Sequence, residues 1–138
     1  MNLFSVQRRF GVAGIFVMAL AAQSCTRAAG AGIGWTEVDG PAFAAELSAH
    51  RDTLAIIDVR EPALFLAGHI PGAVNIPFAD LRADPTIQLR PEQNLVFVCH
   101  GGPMGAELSE SLATRHYPRV RNLAGGMARW SGPVERSP

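Results

Sequence analysis

The residues with the clearest chemical potential form one short run, Cys99-His100-Gly101-Gly102-Pro103-Met104-Gly105. It follows the apolar stretch Leu95-Val96-Phe97-Val98 and leads into helical spacing through Leu108, Leu112 and Ala113. A thiol there ends a strand and faces a helix start. Gly101 and Gly102 let the backbone turn so that several amide N–H groups converge on one point. The helix start adds partial positive charge to the same spot, which favours a thiolate. Together these features describe an activated sulfur nucleophile in an anion cradle. The plainer alternative is a buried strand-end cysteine, acting as a small hydrophobe beside an ordinary glycine turn.

Few other residues carry comparable chemistry. Asp58 stands at a strand end, where its carboxylate either orients the Cys99 loop or caps the turn that follows. Arg60 is the best cation for an anion contact near the loop, the competing reading being an ion pair with an acid such as Glu61 or Glu107. His100 is close enough to the thiol to donate to a bound group or raise the local potential. His69 sits in a Gly-His-Ile-Pro-Gly turn and reads as a fixed backbone hydrogen bond. His50 and His116 have no partner visible in the sequence, and no His/Cys/Asp spacing suggests a metal site. No cofactor motif is apparent.

Composition narrows the class. The chain has 138 residues, with twelve Arg, no Lys and twelve Asp plus Glu, so its formal charge is zero. That length suits one domain with a tail, since domains peak at roughly 100–150 residues. A balanced charge lacks the basic face that nucleic-acid binding requires. With 48% apolar residues, the chain can bury a core. Two cysteines, Cys25 and Cys99, make neither a disulfide-rich scaffold nor a four-cysteine zinc site.

The elements needed to position Cys99 can be read from apolar patterning. Strands are expected at Thr36–Val38, Leu54–Val59, Val74–Ile76, Leu95–Val98 and Val120–Leu123. Helices are expected from Pro41 to His50, Pro62 to Ala67, Phe78 to Ala83, Gly105 to His116 and Gly126 to Trp130. Ile70-Pro71-Gly72-Ala73 is turn chemistry, and Asp84 to Asn94 a polar loop. Strands alternating with helices argue for an α/β fold, a parallel sheet covered on both faces. In such folds ligands bind beyond the carboxyl ends of the strands, which is where Cys99 falls.

Four motifs resemble the rhodanese homology domain. They are Asp58-Val59-Arg60-Glu61, the run Gly68-His69-Ile70-Pro71-Gly72-Ala73-Val74-Asn75-Ile76-Pro77, the Cys99 loop, and Leu123-Ala124-Gly125-Gly126 with Trp130. The resemblance implies a rhodanese-like domain over 35–133 with a central parallel five-stranded sheet, followed by a tail at 134–138. It implies a sulfurtransferase in which Cys99 carries sulfane sulfur as a persulfide. A small donor such as thiosulfate, polysulfide or a persulfide would load it. Cyanide, another thiol or a protein sulfur acceptor would discharge it. The amides from His100 to Gly105, Pro103 excepted, would hold the negative charge. A non-catalytic rhodanese-like binding module and a thiol redox sensor are the alternatives.

Two departures from the family pattern carry expectations. Many members have Arg or another polar residue at the sixth loop position, where Met104 stands. A charge-assisted contact worth about 1.5–3 kcal/mol is thus absent from the loop, which points to a donor less charged than thiosulfate. Related phosphatases and arsenate reductases need an Arg six residues after the Cys. Gly105 occupies that place, so phosphoryl chemistry is not expected.

The N-terminus reads as an address. Arg8 and Arg9 precede an uncharged apolar run of thirteen residues, Phe10 to Ala22. A bilayer span takes about 20 residues, so the run suits the apolar region of a secretory signal. Leu20-Ala21-Ala22-Gln23-Ser24-Cys25 resembles a bacterial lipoprotein signal in which the Cys is lipidated. Simple cleavage after an Ala or Ser and an uncleaved anchor are the alternatives. On this reading 1–24 is a signal peptide, Cys25 the lipidation site and 25–34 a flexible tether. The domain would then lie on the periplasmic side of a bacterial membrane and touch it only through that anchor. Cleavage before Cys25 leaves ten Arg against twelve acids, a net charge near −2.

Overall fold

The computed structural model describes residues 34–136; the expected signal peptide, Cys25 and all but the last residue of the tether lie outside the described residues. Five strands form the sheet: β1 (Trp35–Val38), β2 (Leu54–Asp58), β3 (Val74–Asn75), β4 (Asn94–Val98) and β5 (Val120–Leu123). All neighbours pair in parallel, in the order β1-β5-β4-β2-β3. The most apolar strand, β4, is therefore central, as expected of a strand buried on both faces.

The alternation of side chains along each strand sorts the core into two layers. Ile57, Leu95, Phe97, Cys99 and Val120 share one layer with Leu81, Leu108 and Leu112. Those last three come from α3 (Phe78–Ala83) and α4 (Pro103–Ala113). Ile56, Val96, Val98 and Leu123 share the other layer with Phe43 and Leu47 of α1 (Gly40–His50). Met127, from α5 (Gly126–Arg129), and Trp130 pack against that second layer. The remaining helix, α2 (Pro62–Ala67), follows β2. The expected α/β fold with helices on both faces is what the chain adopts.

Boundaries differ from expectation in ways that have physical causes. The helix after Cys99 begins at Pro103, not Gly105, because proline suits the first helical position, where no N–H is needed. Helix α1 starts at Gly40, capped by the Asp39 carboxylate, which accepts the Ala42 N–H at 2.8 Å. The segment expected to be a tail folds back onto the domain. His69 and Glu135 exchange two backbone hydrogen bonds of 2.9 Å, and the Arg136 guanidinium donates to the Ala67 carbonyl at 3.0 Å.

Candidate active site

Cys99 lies one residue beyond β4, on the same sheet face as Leu95 and Phe97, and its side chain is fully buried. The Gly102 N–H donates to its Sγ at 2.9 Å. That contact requires the chain to double back, and Gly102 does so with φ +113°, a conformation L side chains rarely adopt. Gly101 takes no such conformation, and a Cβ there would meet only the Pro103 ring at 4.0 Å. Of the two glycines expected to shape the turn, only Gly102 uses its freedom.

Two further contacts lock the loop. The Cys99 and His100 carbonyls accept N–H bonds from Met127 and Ala128, each at 2.8 Å, so the start of α5 grips the loop backbone. On the other side, α4 lies so close to the sheet that a Cβ on Gly105 would sit 2.2 Å from Asn122 Oδ1 and 3.2 Å from Phe97. The absence of a side chain lets the helix start reach the strand ends. Its first-turn N–H groups, at Met104 and Gly105, have no acceptor within the helix. The partial positive charge of α4 is thus held at the sulfur-bearing loop.

The expected side-chain contributors have other roles. Arg60, expected as an anion contact, is engaged within the protein: its guanidinium pairs with Asp58, at 2.6 Å from Nη2 to Oδ2, and donates to the Gly68 carbonyl at 2.7 Å. Asp58 does not orient the Cys99 loop either; it also accepts the Arg60 N–H at 3.0 Å and so caps its own turn. The pair is buried, with side chains 7% and 1% exposed. His100 is exposed on the loop. Met104 is partly buried and packs on the core layer that contains Cys99. His69 makes the expected backbone bond, its Nδ1 lying 2.8 Å from the Phe65 carbonyl, and its ring stacks on Phe65. Its Nε2 lies 3.4 Å from the Glu135 carboxylate. The Gly72 N–H, donating to that carboxylate at 3.0 Å, holds the Glu135 carboxyl below its ordinary value.

Beside the loop opens a cleft of about 440 Å³, bordered by Gly101, Gly102 and Pro103 and by Glu37, Gly125 and Arg129. Sequence reasoning missed Glu37, Arg129 and the buried Asn122 beneath them. The one signal was Asn122 itself, a polar residue in a strand at the inward register shared by Val120. The arrangement suits a thiolate, or an anionic group built on it, held by backbone donors.

Comparison with known proteins agrees with this geometry. A model of the Rhodanese-like domain matches residues 43–133. The Uncharacterized protein YqhL of Bacillus subtilis is 31% identical over 80 residues, which cover 58% of this chain and 63% of that protein. This chain therefore spans less than two thirds of that relative. The human Thiosulfate:glutathione sulfurtransferase is 30% identical over 90 residues, covering 54% of this chain and 76% of the relative. The crystal structure of a rhodanese-related protein from Thermoplasma volcanium superposes with a TM-score of 0.62 at 27% identity, covering 74% of this chain and 99% of the other. Sheet order, loop and sequence lead to one assignment: this chain belongs to the rhodanese-like domain family, which includes sulfurtransferases.

Proposed function

We propose that the protein is a sulfurtransferase that carries sulfane sulfur on Cys99. The observation that carries this reading is the Gly102 N–H at 2.9 Å from Sγ, in a loop that abuts the start of α4. The Cys99 thiolate attacks the terminal sulfur of a donor. The donor's S–S bond breaks, its electron pair leaves with the remainder of the donor, and Cys99–S–S⁻ forms. Backbone N–H groups hold the charge on the persulfide as they held it on the thiolate. An acceptor then attacks the outer sulfur, and the electron pair of the breaking bond returns to Sγ.

Two features favour a donor less charged than thiosulfate, such as an organic or protein-borne persulfide. Met104 brings no charge to the loop, and Arg60 is committed to Asp58. The test is the intact mass of the protein after incubation with polysulfide or thiosulfate. An added sulfur atom that is absent in Cys99→Ser supports the proposal; no adduct with any sulfur donor refutes it.

We further propose export and lipid anchoring through Cys25, on the strength of the signal-like segment from Arg8 to Cys25. Incorporation of a labelled fatty acid, lost in Cys25→Ser, is the expected result. Labelling that survives the substitution, or never occurs, refutes it.

A further inference from the structure

We infer that Asn122 is a positioning residue for the Cys99 loop: its side chain sets how closely the start of α4 approaches the reacting sulfur. The inference rests on the sulfur-transfer reading and adds to it a buried residue on a neighbouring strand.

The layer beneath α4 is the starting point. Glu37, Asn122, Phe97 and Ile57 stand side by side in register across β1, β5, β4 and β2. Such neighbours share a sheet face, and Phe97 places this row on the face that packs against α4. Asn122 is fully buried there, an amide beside apolar side chains. Its Nδ2 donates to Glu37 Oε1 at 3.3 Å, while its Oδ1 has no hydrogen-bond partner. A buried acceptor left without one is rare and destabilising, so an apolar side chain of similar size would cost less. The amide therefore calls for a reason other than stability.

That reason lies directly above it. A Cβ on Gly105 would run into Oδ1, so the α-hydrogen that stands in its place points at this oxygen. Oxygen accepts such a C–H contact at a carbon–oxygen distance of about 3.3–3.6 Å, shorter than the ~3.5–4.0 Å that a methyl carbon needs. The amide thus lets α4 lie closer to β5 than leucine would, and still stops it from moving closer. Its other end reaches beneath Gly102, where a Cβ would meet Asn122 Nδ2 at 3.9 Å. Gly102 is the residue whose N–H donates to Cys99 Sγ at 2.9 Å. One buried side chain therefore underlies both the helix start and the amide that holds the sulfur. Charge fixes which end faces which: reversing the amide would set its oxygen against the Glu37 carboxylate, acceptor against acceptor.

Backbone donors stabilise only the point at which they are aimed, so a small shift of α4 weakens them without unfolding the domain. Asn122 acts on the transfer step through Gly102 and Gly105, and leaves donor binding alone.

The test is a double-variant cycle between positions 122 and 105. It is read as the first-order rate of persulfide formation at saturating glutathione persulfide, per folded molecule. Asn122→Ala opens a gap beneath α4 and is expected to slow that step by about tenfold, with the donor KM within about twofold. Gly105→Ala slows it too, because the new methyl meets Oδ1. Together, the methyl introduced at position 105 enters the space the amide leaves, and the double variant should react faster than either single one. Where Asn122→Ala is unfolded at the assay temperature, Asn122→Ser takes its place in the cycle with the same expected directions. A purely structural role gives another pattern, in which Tm changes while the rate per folded molecule stays that of the wild type. That pattern overturns the inference, as do single losses that simply multiply in the double variant, or a raised KM with an unchanged maximal rate. Wild-type protein that gains no sulfur atom in intact mass overturns sulfur transfer itself, so the two failures are distinguishable.

Discussion

The reassignment of Arg60 from anion contact to structural partner can be tested by Arg60→Met. This substitution keeps much of the side-chain volume and removes the charge. It leaves the Asp58 carboxylate, 1% exposed, with the Arg60 backbone N–H at 3.0 Å as its remaining donor. Breaking a buried pair by removing one member costs about 3–5 kcal/mol. Because the backbone donor stays, the lower end applies, about 3 kcal/mol against a total stability of about 5–15 kcal/mol. For a domain of this size each kcal/mol lowers Tm by about 4–8 °C, so a fall of at least about 12 °C is expected. Thermal unfolding followed by near-UV circular dichroism measures it. Persulfide formation below the transition gives the donor KM, which should stay within about twofold because the guanidinium makes no donor contact. Replacing both residues, as Asp58→Leu with Arg60→Met, should recover part of the loss, since apolar replacement of a whole buried pair is often neutral. An unchanged Tm together with a tenfold rise in donor KM would refute the structural role.

Three further outcomes follow from the same geometry. Gly105→Ala should cost about 1–3 kcal/mol by overpacking against Asn122 and Phe97, and should slow persulfide formation by shifting the start of α4. Gly101→Ala, which meets only open space and the Pro103 ring, should be close to neutral; equal losses in the two variants would contradict the packing described. Glu46 is bound to Arg121 through Oε2···Nη1 and Oε1···Nη2 contacts of 2.6 and 2.9 Å, and this holds its carboxyl below the ordinary value. Its stabilisation is therefore complete above the unfolded value of about 4.3 and disappears as pH falls through the lower folded value. Glu46→Gln should flatten that part of the stability–pH curve, and an unchanged curve would count against the pair. Deleting residues 134–138 removes the two backbone bonds to His69 and the Arg136 contact, and should lower stability by about 1–3 kcal/mol by chemical denaturation. No change would mean that the segment contributes nothing to the fold.

How much of this was legible in the sequence depended on whether the determinants were local. The Cys99 loop stood out because an apolar strand, a thiol, two glycines and a helix start are consecutive. The five strands were legible for the same reason, with errors of a residue or two at their ends. The partner of Arg60 was sought at Glu61 or Glu107, yet residues two apart on an extended chain share a face, which points to Asp58. The return of residues 134–136 was hidden, because pairing between His69 and Glu135 leaves no periodic trace in either segment. Glu37, Asn122 and Arg129 come from β1, β5 and α5, which only the strand order brings together at one end of the sheet. Their individual residue types carry no sign of that meeting.

With Arg60 committed elsewhere and Met104 apolar, no side-chain cation remains inside the loop to hold negative sulfur. The proposed reaction then depends on backbone dipoles, the Gly102 N–H and the first turn of α4. Such donors need no reorganisation as charge moves from thiolate to persulfide and back, and burial strengthens them by excluding water. Their strength depends on geometry, so the groups that hold the loop conformation become part of the chemistry. Two of these holds come from outside the loop: the Met127 and Ala128 N–H groups on the Cys99 and His100 carbonyls, and the bare Gly105 surface against Asn122. Sulfur transfer should therefore be more sensitive to backbone shifts at the β5–α5 turn than to the removal of the exposed His100 side chain. His100→Ala keeping the rate while a displaced α5 start loses it is the ordering this mechanism requires.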